Sequence, residues 1–119
     1  MPVETIFLVD ADTHVRRLVS AFLSDYEVRY FDNGAAALEA ARTTPPAVVV
    51  TEVLLPGLDG LALCRQLKEE VAEVKVIVLS FVAANQRALT AGADAFLSKP
   101  IERRSFQELV VELVEEYRR

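Results

Sequence analysis

Apolar residues along this chain fall into two alternating patterns. Three short continuous runs, Ile6–Val9, Ala47–Val50 and Val74–Leu79, are rich in β-branched side chains and lack strict polar alternation. That pattern predicts strands buried on both faces of a parallel sheet. Weaker runs at Glu27–Phe31 and Ala95–Ser98 predict two further strands. The stretches between follow a helical period. Val15, Leu18, Val19, Phe22 and Leu23 share one face, as do Phe106, Leu109, Val110, Leu113, Val114 and Tyr117 within a helix over Arg103–Tyr117. Two more helices are predicted over Ala35–Ala41 and Leu61–Leu67, opened by Asn33-Gly34 and Asp59-Gly60. A last one over Ala83–Ala91 is closed by Gly92. Strand and helix therefore alternate five times, a (βα)5 α/β domain over residues 1–119 with no internal linker or low-complexity segment.

Composition narrows the class without choosing the function. With 119 residues, 52% of them hydrophobic, the chain can build one core that needs no disulfide or structural metal. A formal net charge of −5 argues against nucleic acid as a direct partner. The basic pairs Arg16-Arg17, Arg103-Arg104 and Arg118-Arg119 read as solvated helix faces or ends. A single cysteine, Cys64, falls on an apolar helix face and reads as a small core residue in a reducing compartment. No apolar run approaches membrane-spanning length, and Met1-Pro-Val-Glu4 is no signal peptide. The expectation is a cytoplasmic protein with no membrane partner.

The polar residues that stand out lie at or just beyond the carboxyl ends of predicted strands: Asp10, Asp12, Glu52, Ser80 and Lys99. In a doubly wound sheet this is where ligands and chemistry collect. Each has a plainer reading. Asp12 suits a helix N-cap, Ser80 a bond to local backbone, and Lys99 a surface position. His14, at a helix start with no ligand set nearby, reads as a surface residue. Together with the turn Leu55-Pro-Gly-Leu-Asp-Gly60 and the segment Gly92-Ala-Asp-Ala-Phe-Leu-Ser-Lys-Pro100, the set resembles the receiver domain of two-component response regulators over almost the whole chain. The resemblance implies a flavodoxin-like three-layer fold with strand order 2-1-3-4-5. It also implies signal transduction rather than enzymatic turnover, with a histidine kinase or a downstream effector as protein partner.

In that family an aspartate accepts a phosphoryl group. Mg2+ is held by an acidic pair, the acceptor and a nearby backbone carbonyl, while a hydroxyl and a lysine bind the phosphoryl oxygens. Carried onto this chain, the resemblance places Glu52 at the acceptor position, Asp10 as first acid and metal ligand, and Leu54 as the carbonyl. Ser80, Phe96 and Lys99 take the switch positions. Three departures alter the expectation. Ala11 stands where the second acid belongs, with Asp12 one residue further on, so Mg2+ is expected to bind weakly or not at all. Glu52 is longer than aspartate by one methylene, roughly 1.5 Å of added reach, enough to contact Lys99 and Ser80 without phosphate. Phe81 follows Ser80 where receivers carry a small residue, and is a candidate cover for the site. The span from Ser80 to Gly92 is also short for the family, and Val82-Ala-Ala84 within it is apolar, expected to pack inward.

The resulting expectation is an atypical pseudo-receiver that works without phosphorylation, through protein–protein contacts. The family's output and dimer face, Ala83–Tyr117, is the expected contact surface, including for a homodimer. The alternative is a working Mg2+-dependent phosphoacceptor on Glu52. A nucleotide or flavin carrier ranks low, because Asp10-Ala-Asp12 would repel phosphate and no glycine-rich loop follows the first strand.

Overall fold

The computed structural model describes residues 3–119, so Met1 and Pro2 at the head of the stretch read for a signal peptide lie outside the described residues. Strands β1 (Thr5–Val9), β2 (Glu27–Phe31), β3 (Val48–Thr51), β4 (Lys75–Ser80) and β5 (Ala95–Ser98) alternate with helices α1 (Thr13–Phe22), α2 (Gly34–Thr43), α3 (Gly60–Glu70), α4 (Asn85–Thr90) and α5 (Arg103–Arg118). The strands pair in parallel in the order β2-β1-β3-β4-β5, as the resemblance implied.

The uninterrupted apolar runs have a direct structural cause. Successive side chains of a strand point to opposite faces, and both faces of this sheet are covered. Phe7, Val9, Val49, Val76 and Val78 pack with Ala37, Leu38, Leu63, Cys64, Leu67 and Ala88 from α2, α3 and α4. Ile6, Leu8, Val48, Val50, Ile77 and Leu79 pack on the other side with Val15, Val19, Phe106, Val110 and Leu113 from α1 and α5. The strands that read faintly in sequence, β2 and β5, are the two edges, and neither contains a fully buried residue.

All five helices start at the carboxyl end of the sheet. Asp12, Asn33, Asp59 and Glu102 cap four of them, each accepting a bond from a backbone N–H of the first turn. The fifth, α4, departs from the sequence-based expectation. It runs over Asn85–Thr90 rather than Ala83–Ala91, and its N-cap Ala84 offers no side-chain bond. Ala84 is buried and Val82 packs on the α2–α4 side of the sheet, so packing holds this segment in irregular backbone. Only Ala83 is exposed there, in keeping with the inward packing expected of this segment. The helix ends on Gly92 (φ +98°), with Gly92 N–H bonded to Leu89 O and Ala93 N–H to Ala88 O, a Schellman motif. Other boundaries shift by one to three residues, which is ordinary fraying of element ends.

One glycine fixes how α3 meets the sheet. A Cβ on Gly60 would stand 1.8 Å from the Glu52 carbonyl oxygen and 3.0 Å from Val53 Cα. Gly60 N–H instead bonds to Val53 O at 2.9 Å. The start of α3 is thus pressed onto the backbone that follows β3, where only hydrogen fits. Gly60→Ala is therefore expected to push α3 off that segment and destabilise the fold by about 2 kcal/mol, read by urea denaturation.

Candidate functional site

β1, β3, β4 and β5 end side by side and deliver four of the five singled-out residues to one place. Asp10 and Ser80 are buried polar side chains, Asp10 4% exposed and Ser80 fully enclosed. Lys99 reaches across from the end of β5. Its Nζ donates to Asp10 Oδ2 at 2.8 Å and to Glu52 Oε1 at 2.9 Å. The side chains of Lys99, Asp10 and Glu52 are 6%, 5% and 11% exposed, so this is a buried bridge rather than a surface ion pair.

The other carboxylate oxygen of Glu52 turns back onto the chain. Oε2 accepts from Val53 N–H at 2.6 Å and from Leu54 N–H at 3.2 Å. The extra methylene is therefore spent in bending the carboxylate between Lys99 and its own following backbone. Ser80 Oγ accepts from Val82 N–H at 3.0 Å. Its hydroxyl lies near enough to Glu52 to lower that group's pKa, although no strict hydrogen bond joins the two. The expected Glu52–Ser80 contact is thus looser than the Glu52–Lys99 one.

Protonation follows from these contacts. Burial pushes the Glu52 pKa up, but the Ser80 hydroxyl, the Lys99 ammonium and the Leu54 N–H outweigh it, leaving it below its ordinary 4.5. Burial likewise pulls Lys99 down, and its two carboxylate partners more than compensate, holding it above its ordinary 10.5. Both groups stay charged across the neutral range.

The remaining candidates take other roles. Asp12 caps α1 through its side chain, accepting from His14 N–H at 2.8 Å, and its own N–H donates to Asp10 Oδ1 at 2.9 Å. It supports Asp10 and does not replace the acid missing at Ala11. Phe81 does not seal the site. Its side chain is 73% exposed and stands beside the lysine, with the ring centroid 5.8 Å from Lys99 Nζ. Phe96 is half-buried against the α2–α4 core. His14 is exposed. Cys64 is buried with its thiol pushed up to about 11 by burial, an unreactive state.

Two features were not foreseen from sequence. One is that Lys99 engages Asp10 as well as Glu52. The other is Arg16, whose Nε donates to the Asp10 carbonyl at 3.3 Å and whose guanidinium lies 5.8 Å from the Tyr30 ring centroid. Its place one helical turn past Asp12 was the only signal available.

The carboxylates that would face a divalent cation at this position are already engaged. Both carboxylates that would face it are bonded to Lys99, and no group of three or more His, Cys, Asp or Glu side chains among the described residues is arranged to hold a metal.

A family model described as "Response regulator receiver domain" matches residues 6–111. The chain belongs to this family. Such a domain serves two-component signalling. Relatives include response regulator MprA of Mycobacterium sp. (strain KMS), 38% identical over 105 residues, covering 84% of this chain and 45% of the relative. MprA of Mycobacterium leprae is 37% identical over 100 residues, covering 80% of this chain and 44% of that protein. The chain thus spans less than half the length of these curated relatives. Among solved structures, the BeF3-activated DrrB receiver domain superimposes with a TM-score of 0.88 at 29% identity, covering 95% of this chain and 98% of that one. The receiver domain of NtrX from Brucella abortus gives 0.81 at 32%, covering 92% and 98%. No helix among the described residues is long and apolar enough to cross a membrane.

Two outcomes follow for the receiver's ion bridge. Because the Glu52 pKa is lowered on folding, its stabilisation is present above pH 4.5 and lost as pH falls through the folded value. Because the Lys99 pKa is raised, its share is present below 10.5 and lost as pH climbs through the folded value. Glu52→Gln is expected to flatten the acid limb of a stability–pH profile and leave much of the alkaline limb in place. Lys99→Met leaves two buried carboxylates without their cation and is expected to cost about 3 kcal/mol. Adding Glu52→Gln to it should recover part of that loss in the same denaturation series.

Proposed function

We propose that this receiver signals without phosphorylation, with Glu52 standing in for a modified acceptor. The observation that carries this reading is the closed bonding of the Glu52 carboxylate. Oε1 is taken by Lys99 Nζ, and Oε2 by the N–H groups of Val53 and Leu54. Those donors are the ones an incoming anion at this position would need. With Glu52 ionised at neutral pH and already holding them, an added phosphoryl group has neither a free cation nor a free pocket.

Cation screening is equally compromised. Attack of a carboxylate on a phosphoryl donor brings like charges together, and a metal normally offsets the repulsion. Here Lys99 neutralises the two carboxylates internally, Ala11 adds no ligand, and Asp12 is committed to the α1 cap. Mg2+ therefore binds weakly or not at all on this reading. Ser80 held inside and Phe96 packed inward are arranged as a switch kept in one position. Output runs through protein contacts with a kinase or an effector, across the Ala83–Tyr117 face, where a homodimer also has room to form. The working compartment is the cytoplasm.

Incubation with acetyl phosphate and Mg2+, followed by intact-mass analysis, tests the reading. The wild type is expected to show no gain, and the Ala11→Asp/Glu52→Asp variant to gain one phosphoryl group. A phosphoryl-sized gain on the wild type would establish Glu52 as a working acceptor and overturn the proposal.

A further inference from the structure

β2 is an edge of the sheet, and one row of its backbone groups faces no neighbouring strand. Glu27 N–H bonds to Glu4 O and Asp10 N–H to Phe31 O, so Glu27, Arg29 and Phe31 turn their backbone polar groups toward β1. By the alternation of the ladder, Val28 and Tyr30 turn theirs outward. Exposed edges are commonly blunted by proline, lysine or a bulge. β2 has none of these. What it carries is a pair of opposite charges two residues apart. Glu27 and Arg29 are both exposed, and neither enters an ion pair among the described residues. The Arg29 guanidinium lies 5.2 Å from the Phe7 ring centroid and 5.5 Å from that of Phe31, on the α2 side of the sheet. Glu39 lines the same groove but is bonded to Arg42. On the other side, Tyr26 and Val28 pack with the α1–α5 core, and Tyr30 stands beside Arg16 of α1.

This edge is complementary to itself in one register. Two copies paired antiparallel about a two-fold axis must set outward-facing residues against each other, which leaves few alignments. With Val28 opposite Val28 of the second copy, Glu27 stands opposite Arg29 on both sides of the axis. Those positions are non-hydrogen-bonded pairs, where the two backbones approach most closely. Tyr26 then faces Tyr30, an aromatic cross-strand pair on the opposite side of the sheet. Moving the axis one residue earlier sets Glu27 against Glu27, and one residue later sets Arg29 against Arg29. Moving it to Tyr30 sets Val28 against Asp32. Like charges directly opposite destabilise a strand pair, so the neighbouring registers are disfavoured.

We infer that β2 is a docking edge for a second copy of this chain, joining the two sheets into one across a two-fold axis at Val28. Val28 of each copy exchanges backbone bonds with its mate, and Tyr30 N–H of each meets Tyr26 C=O of the other. The Glu27–Arg29 pairs hold the register. Asp10, Glu52, Ser80 and Lys99 take no part, so the pairing is independent of how the site at the end of the sheet is charged or modified. It also lies at the opposite edge of the sheet from β5, leaving the Ala83–Tyr117 face open to another partner.

Sedimentation velocity and residue-resolved amide exchange by NMR, both on the whole chain, test the assignment. A strand edge this short buries less than a standard interface, so a dimer is expected to form over about 10 µM to 1 mM protein. Val28 and Tyr30 amides are expected to gain protection as the concentration rises. Arg29→Glu and Glu27→Arg set like charges opposite, and each should weaken the dimer about tenfold, with circular dichroism confirming the fold. Glu27→Arg leaves Arg29 beside its two rings, so its effect on association stands by itself. An equimolar mixture of the two variants should associate like the wild type, because each altered position then faces an opposite charge on the other copy. A wild type still monomeric at about 1 mM, a dimer indifferent to Glu27→Arg, a mixture that fails to associate, or protection gained in β5 or α5 instead of β2 would each overturn the inference.

Discussion

The arrangement at the end of the sheet depends on one ammonium group. Lys99 Nζ, nearly shut off from water, lies within 2.9 Å of a carboxylate from the end of β1 and another from the end of β3. Two carboxylates held this close without a cation would repel strongly at low dielectric, and a lysine buried without them would lose its charge. Each group is therefore tolerable only because the other two are in place. The bridge ties three strand ends together across a separation of 89 residues between Lys99 and Asp10.

The surroundings reinforce it. Asp12 N–H and Arg16 hold Asp10 from the α1 side, the N–H groups of Val53 and Leu54 hold Glu52, and Gly60 lets α3 press against the same backbone. The output side is braced as well. Lys68 Nζ bonds both Val74 O and Asp94 Oδ2, and Asp94 also accepts from Val76 N–H, pinning the turn after α4 to α3 and β4. α4 between these anchors is six residues long and is closed by Gly92. A site that carries its own counter-charge and a short, braced α4 are the two features on which the proposal of a receiver held in one state draws.

Much of the fold is legible in the sequence. The three buried strands announced themselves because a strand covered on both faces has no polar positions to show. Edge strands β2 and β5 were fainter for the opposite reason, since solvent on one side admits Glu27, Arg29 and Ser98. The N-caps at Asp12, Asn33 and Asp59 were readable because capping is decided within one turn of chain. The start of α4 was not, since the pull of Val82 and Ala84 into the core overrides the helical propensity of the alanines there.

By itself the sequence determined the alternation of elements, the faces they bury, and the presence of Asp10, Glu52, Ser80 and Lys99 at strand ends. These depend on local periodicity and on which residue follows a strand. Only the tertiary structure decided that Lys99 serves two carboxylates, that Glu52 bends back to Val53 and Leu54, and that Phe81 stands in solvent beside the bridge. The physical reason is that a side chain's conformer is chosen by the donors and apolar surfaces that distant segments bring to it, and periodicity along the chain carries no record of those neighbours.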